Sequence, residues 1–133
     1  RKMLSIGVKG PLNTGADLDF AASRGVTLLP FSAWAERGER VVKQYKASRG
    51  GEPVYVTFDI DVVDPAFAPG TGTPSVGGFT SAQALDALRL LRGLRVCGAD
   101  VVEVLPDRDV SQITALLAAH VAMEIIALDA AAA

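Results

Sequence analysis

The chain has 133 residues, half of them hydrophobic, so it can bury a sizeable core and form one compact domain or part of a larger one. Thirteen basic and 15 acidic residues give a net charge of −2, which offers no general attraction for nucleic acid or a membrane surface. The single cysteine, Cys97, excludes an internal disulfide and fits a reducing compartment, and we expect a cytoplasmic protein.

Four elements are predicted before residue 50, in the order strand, helix, strand, helix. They cover residues 3–8, 16–24, 26–29 and 32–48. The loop between the first two elements runs from Lys9 to Gly15. Ser32 is the expected N-cap of the second helix, which Gly38 should weaken. The candidate core residues of this helix are Trp34, Val41, Val42 and Tyr45.

A third strand carries the most informative residues. The run Val54–Phe58 is apolar, β-branched and aromatic, and Asp59 and Asp61 follow it on either side of Ile60. Side chains alternate along a strand, so we expect both carboxylates to project the same way from its end. Two like charges at this distance repel each other unless a cation lies between them. Since hard divalent cations prefer oxygen ligands, the pattern predicts a metal-binding strand end.

The remaining elements are a helix, a strand and a long helix. Thr80 and Gln83 form a capping-box pattern before a helix over residues 81–92, and a strand over residues 95–105 should be kinked near Gly98. Asp109 and Gln112 repeat the capping pattern before the last helix. Its expected apolar stripe consists of Ile113, Leu116, Leu117, Val121, Ile125 and Leu128.

Alternating strands and helices predict a parallel sheet with helices packed on it, and ligands of such sheets lie beyond the carboxyl ends of the strands. Asp59 and Asp61 end one strand, and Glu103 lies near the same end of another. A buried Glu103 needs a cationic partner, which is either an arginine of this protein or a cationic substrate. The pattern leaves these two alternatives open.

Several polar residues are better explained by structure than by chemistry. Asp64 precedes a proline and should fix the turn with its side chain. We expect His120 and Cys97 to be packed in the core. Thr71 and Thr73 lie in a glycine-rich loop and are candidates for ligand contact, although the loop lacks the pattern of a phosphate-binding loop.

The segment TFDIDVVDPAFAPGTGTPSVGGFT resembles the last signature of the ureohydrolases, the arginase and agmatinase family. The resemblance extends through GADVVEVLPDRD and ITALLAAHVAMEII, and IGVKGPLNTGADLDFAASRGV is similar to the agmatinase branch. It implies a three-layer αβα fold with a mainly parallel sheet. It also implies hydrolysis of a guanidino group of an agmatine-like substrate to urea and an amine by hydroxide bound to two manganese ions.

On the matching positions, the resemblance implies that Asp59 and Asp61 are metal ligands and that Glu103 binds the guanidinium side of the substrate. The family's GGDH-type and DAHxD motifs, which carry its other metal ligands, do not occur in this chain, and Lys9 stands where a GIRG-like segment has arginine. We therefore expect residues 1–133 to be the C-terminal part of a single ureohydrolase domain, incomplete at its N-terminus. The expected partners are a small guanidino substrate and further copies of the chain, without nucleic acid or membrane.

Two other functions remain to be weighed. A hydrophobic strand ending in Asp-x-Asp also opens the aspartate-nucleophile phosphatases, but there Gly-Thr usually follows, whereas Val62 and Val63 follow here. The second alternative is a truncated, catalytically inactive ureohydrolase that keeps a structural or oligomer-forming role. The presence or absence of the two missing motifs upstream of Arg1 would decide between this alternative and a complete enzyme.

Overall fold

The structure is a computed structural model that describes residues 2–11 and 14–130. Strands and helices alternate along the chain, as predicted. In order they are β1 (Met3–Val8), α1 (Ala16–Ser23), β2 (Val26–Pro30), α2 (Trp34–Arg49), β3 (Val54–Asp59), α3 (Ser81–Arg89), β4 (Val96–Val102) and α4 (Ile113–Ala130). Leu12 and Asn13, in the predicted loop after β1, lie outside the described residues. Within the described residues, no helix has both the length and the apolarity to cross a membrane.

The strands form two parallel pairs, β1 with β2 and β3 with β4. In the second pair Val54 lies opposite Val96, whereas Tyr55 lies opposite Gly98, so Cys97 is the extra residue of a bulge. This confirms the irregularity expected near Gly98. Parallel pairing brings the carboxyl ends of β3 and β4 to the same edge, where Asp59 pairs with Val102.

The core lies between the β3–β4 pair and the two C-terminal helices. Its buried residues include Val56, Phe58, Ile60, Val63, Phe79, Leu88, Leu117, Val121 and Ile125. Phe79 links this core to the N-terminal elements, because its ring meets those of Phe31 and Trp34 edge to face, with centroids 4.8 and 5.1 Å apart.

The start of α2 differs from the prediction. Phe31–Ala33 form a 3₁₀ turn that leads directly into the helix, and Ser32 lies inside that turn instead of capping α2. Gly38 is buried, and a Cβ there would lie 2.6 Å from Cε3 of Trp34. The glycine therefore makes room for the indole ring.

The predicted stripe of α4 is only partly right. Leu117, Val121, Ile125 and Leu128 are buried. Ile113 and Leu116, however, are 45% and 61% exposed, and Leu116 lies on a different side of the helix together with exposed Met123 and Ile126. His120 is also exposed, so the prediction that it packs in the core is wrong.

Two other local predictions were partly wrong. Cys97 is exposed, contrary to expectation, because it is the extra residue of the bulge. The carboxylate of Asp109 caps the start of α4 by accepting from the backbone N–H groups of Thr114 and Ala115, each at 2.9 Å. Gln112 has a φ of 59° and lies before the helix, so it does not complete a capping box.

A close approach at Gly7 gives a direct test of how β1 is held against the rest of the fold. Gly7 has a φ of 84°, and a Cβ there would collide with Val62 and come within 2.6 Å of Phe79. Gly25 has a similar φ of 70° but open space around it. Gly7→Ala should therefore lower the free energy of unfolding by about 1–3 kcal/mol more than Gly25→Ala, measured by urea unfolding. Equal losses in the two variants would contradict the close packing at Gly7.

Candidate functional site

Asp59 and Asp61 lie at the carboxyl end of β3. Asp59 is the last strand residue, whereas Asp61 lies in the 3₁₀ turn Ile60–Val62. Oδ1 of Asp59 accepts a hydrogen bond of 3.1 Å from the backbone N–H of Asp61. The expected alternation of the two residues along a strand is therefore wrong, because the chain turns directly after Asp59 and this hydrogen bond closes the turn.

Thr73 orients the second carboxylate. Its Oγ1 donates a hydrogen bond of 2.7 Å to Oδ2 of Asp61. The long loop after β3 thus folds back, and a residue 12 positions away contacts the strand end. Thr71, the other candidate of this loop, is buried, and its hydroxyl has no hydrogen-bond partner among the described residues.

The two carboxylates line a cleft of about 570 Å³. Its other walls are the carboxyl half of β1 with the start of the following loop, Val62, and the segment Thr73–Ser75. The cleft therefore lies where ligands of parallel sheets are expected, beyond the ends of two strands.

The surroundings of Asp59 oppose the ionisation of its carboxyl. Burial raises the pKa of the Asp59 carboxyl above its ordinary value of 3.8, and the negative charges of Asp61 and Glu103 raise it further. The hydrogen bond from the Asp61 backbone acts in the opposite direction without cancelling the rise. A cation beside the pair would remove this penalty.

Glu103 lies just beyond β4, not within the strand as predicted. It is exposed and has a φ of 65°, in the left-handed region that non-glycine residues rarely adopt. The residues that follow Glu103 pair with the long loop after β3, since Val104 forms a bridge with Thr71 and the Leu105 N–H donates to Gly70 O at 2.8 Å. Glu103 is not among the residues that line the cleft, although its charge acts on Asp59.

Asp64 fixes the turn after β3, as predicted. Its carboxylate accepts from the backbone N–H groups of Ala66 at 2.9 Å and Gly77 at 2.7 Å. One side chain thus ties the beginning of the long loop to its end. Asp100 has a separate role on β4, where it accepts a hydrogen bond of 2.9 Å from the hydroxyl of Tyr55.

The donor set at the strand end fits part of a metal site. Asp59 and Asp61 offer carboxylate oxygens, the donors that manganese and similar hard cations accept. The described part of the chain contains no group of three or more histidine, cysteine, aspartate or glutamate residues placed to hold a metal ion. Two carboxylates therefore supply a partial ligand set that needs further donors.

Comparison with known proteins places these observations in a family. The family model described as "Arginase family" matches residues 1–128. A guanidinopropionase from Pseudomonas aeruginosa is 44% identical over 128 residues, covering 96% of this chain and 40% of the relative. An agmatinase from Enterobacter sp. is 48% identical over 118 residues, covering 88% of this chain and 39% of the relative.

Among solved structures, the proclavaminate amidino hydrolase from Streptomyces clavuligerus superposes with a TM-score of 0.88 at 40% identity. The alignment covers 98% of this chain and 43% of that structure. The predicted arginase-like α/β fold is thereby confirmed. The chain spans about 40% of the length of the curated relatives it matches.

The raised pKa of Asp59 predicts a stability change. A carboxyl whose pKa is higher in the folded than in the unfolded protein destabilises the fold when it is ionised. For Asp59 this destabilisation begins as the pH rises above 3.8, the ordinary pKa, and is complete above the raised pKa of the folded protein. Asp59→Asn should therefore raise the melting temperature of the metal-free protein at neutral pH, and the gain should vanish in acid. Thermal unfolding of the wild type and of Asp59→Asn in the presence of a chelator, from acid to neutral pH, measures the difference in melting temperature. Asp19→Asn, on exposed α1, should show no gain; a lower melting temperature for Asp59→Asn at neutral pH would contradict the prediction.

Proposed function

The chain belongs to the arginase family, and from this premise we propose that it forms the C-terminal part of a metal-dependent hydrolase that cleaves a guanidino group to urea and an amine. Agmatine-like compounds are the first candidate substrates. The observation that carries the proposal is the pair of carboxylates, Asp59 and Asp61, at the end of a parallel strand and in the wall of a cleft. The similarity to a guanidinopropionase and to an agmatinase supports the choice of a guanidino substrate.

In this proposal Asp59 and Asp61 bind manganese, two ions in the complete site. When bound, manganese would supply Lewis acidity, which lowers the pKa of water and stabilises developing negative charge. The fit rests on donor chemistry, since both residues offer hard oxygen ligands at one strand end and in the wall of one cleft. The remaining ligands would come from another part of the protein.

The chain's own residues would orient the site and hold the substrate. The Thr73 hydroxyl and the Asp61 backbone N–H each fix one oxygen of the two carboxylates, which leaves the other oxygens for a ligand. Glu103 would attract the guanidinium side of the substrate, because its exposed carboxylate lies near enough to affect Asp59. Holding a cationic substrate in this way reduces the entropy that must be lost in the reaction.

A second candidate is a catalytically inactive ureohydrolase fragment with a structural role. It is favoured by the partial donor set, since no group of three or more metal-ligating side chains occurs among the described residues and only Asp59 and Asp61 contribute carboxylates to the cleft. Arginase-family membership argues against the aspartate-nucleophile phosphatase. Detection of the GGDH and DAHxD motifs in the same reading frame upstream would favour the enzyme.

We also propose that the complete protein is cytoplasmic and forms homo-oligomers, without nucleic acid or membrane partners. The single cysteine supports a reducing, cytoplasmic location. The net charge of −2 supports the lack of nucleic acid and membrane partners. The exposed apolar residues of α4 support a covered surface in the complete protein. Leu116, Met123 and Ile126 are between 61% and 69% exposed, which is unusual for three apolar neighbours on one helix.

The proposed activity has a direct test in the full-length protein. With manganese, a panel of guanidino-amines and guanidino-acids should include at least one compound from which urea is released. Asp59→Ala and Asp61→Ala should lower kcat by more than the roughly 10–100-fold that loss of an outer-shell partner causes, with an unchanged circular dichroism spectrum. Asp19→Ala, on α1, is the matched control and should retain full activity. Absence of urea from every compound, or full activity in either site variant, would contradict the proposal.

The isolated 133-residue chain should neither hydrolyse guanidino compounds nor bind two manganese ions tightly. Only two carboxylates of the described residues meet at the strand end, and metal affinity depends on the number of preformed ligands. The exposed apolar face of α4 and the short two-stranded sheets should make the chain associate or aggregate. Calorimetric titration with manganese and light scattering provide the measurements. Tight binding of two ions per chain, or turnover, would show that these residues complete a site by themselves.

A further inference from the structure

Lys9 connects β1 to the loop that follows β3. It is the first residue after β1, and its Nζ donates a hydrogen bond of 2.6 Å to the backbone carbonyl of Ser75, 66 positions away. Its stem packs against Gly78, where an added Cβ would lie 2.6 Å from Cε of Lys9. The side chain is therefore half-buried and held at both its stem and its ammonium group.

The segment that Lys9 holds is the one that orients Asp61. Ser75 lies two residues after Thr73, whose hydroxyl donates to Oδ2 of Asp61 at 2.7 Å. The opposite end of the loop has a second anchor, because Asp64 accepts from the N–H groups of Gly77 and Gly78 at 2.7 and 3.4 Å. Between Thr73 and Gly77, the hydrogen bond from Lys9 is the side-chain anchor of the described loop.

We propose that Lys9 is a positioning residue for the metal site: its ammonium group holds the Thr73–Ser75 segment so that Thr73 can orient the carboxylate of Asp61. The proposal rests on the proposed function in one respect, the assignment of Asp61 as a metal ligand. The interaction is a charged donor on a half-buried carbonyl, which is stronger than a neutral hydrogen bond. Its loss would free the segment without touching Asp61 directly.

The test measures manganese binding to the metal-free full-length protein by calorimetric titration. Lys9→Met keeps the length of the stem and removes the donor, and it should weaken manganese affinity by about tenfold, as for other groups that orient metal ligands. Lys9→Arg keeps a charged donor and should recover most of the affinity. Lys43→Met, which breaks an exposed ion pair with Glu39 on α2, is the matched control and should bind manganese as the wild type does.

A double-mutant cycle separates positioning from a general loss of stability. If Lys9 acts through Thr73, then Lys9→Met combined with Thr73→Val should bind manganese no more weakly than Thr73→Val alone. Additive losses, or wild-type affinity in Lys9→Met, would overturn the proposal. If Lys9→Met does not fold, Lys9→Leu takes its place, because it also removes the ammonium donor and should show the same loss and the same non-additivity.

The outcomes also separate this inference from the proposed function. Wild-type protein that binds manganese without releasing urea would refute the hydrolase while leaving the effect of Lys9 on metal affinity to be measured. Wild-type protein that does not bind manganese would overturn both. Weakened manganese binding by Lys9→Met at a temperature where the metal-free variant is fully folded, together with no further loss when Thr73→Val is added, is the expected signature of positioning.

Discussion

Asp59 and Asp61 are held beside each other at the end of a strand whose inner face is buried, where burial and mutual repulsion oppose the ionisation of Asp59. Among the described residues, no lysine or arginine forms an ion pair with either of them. A cation bound beside the two carboxylates, as in the proposed metal site, would offset this repulsion. The contacts of the surrounding loop hold the two carboxylates in this arrangement.

The loop after β3 is ordered by contacts that reach across the chain. Asp64 joins its two ends, Thr73 returns it to the strand, and Lys9 joins it to β1. Gly7 permits the close approach on which these contacts depend, because a side chain there would meet Val62 and Phe79. The cleft is consequently built between two strand pairs that are separate sheets in the structure.

The sequence predicts features that local patterns determine. The bounds of β1, the capping box at Thr80 and the turn role of Asp64 each follow from a few neighbouring residues, and each is confirmed. The turn that contains Asp61 and the left-handed conformation of Glu103 were not predicted, because tertiary contacts override the strand pattern there. Sequence periodicity also does not predict hydrogen bonds between distant residues, such as Thr73 with Asp61 and Lys9 with Ser75, which are 12 and 66 positions apart.

The central claim is that Asp59 and Asp61 bind manganese at the end of β3. Anomalous diffraction at the manganese absorption edge, from crystals of the full-length protein grown with the metal, tests this most directly. The account predicts two anomalous peaks per chain, both within coordination distance of these carboxylates. Peaks at other positions only, or none at saturating manganese, would contradict it.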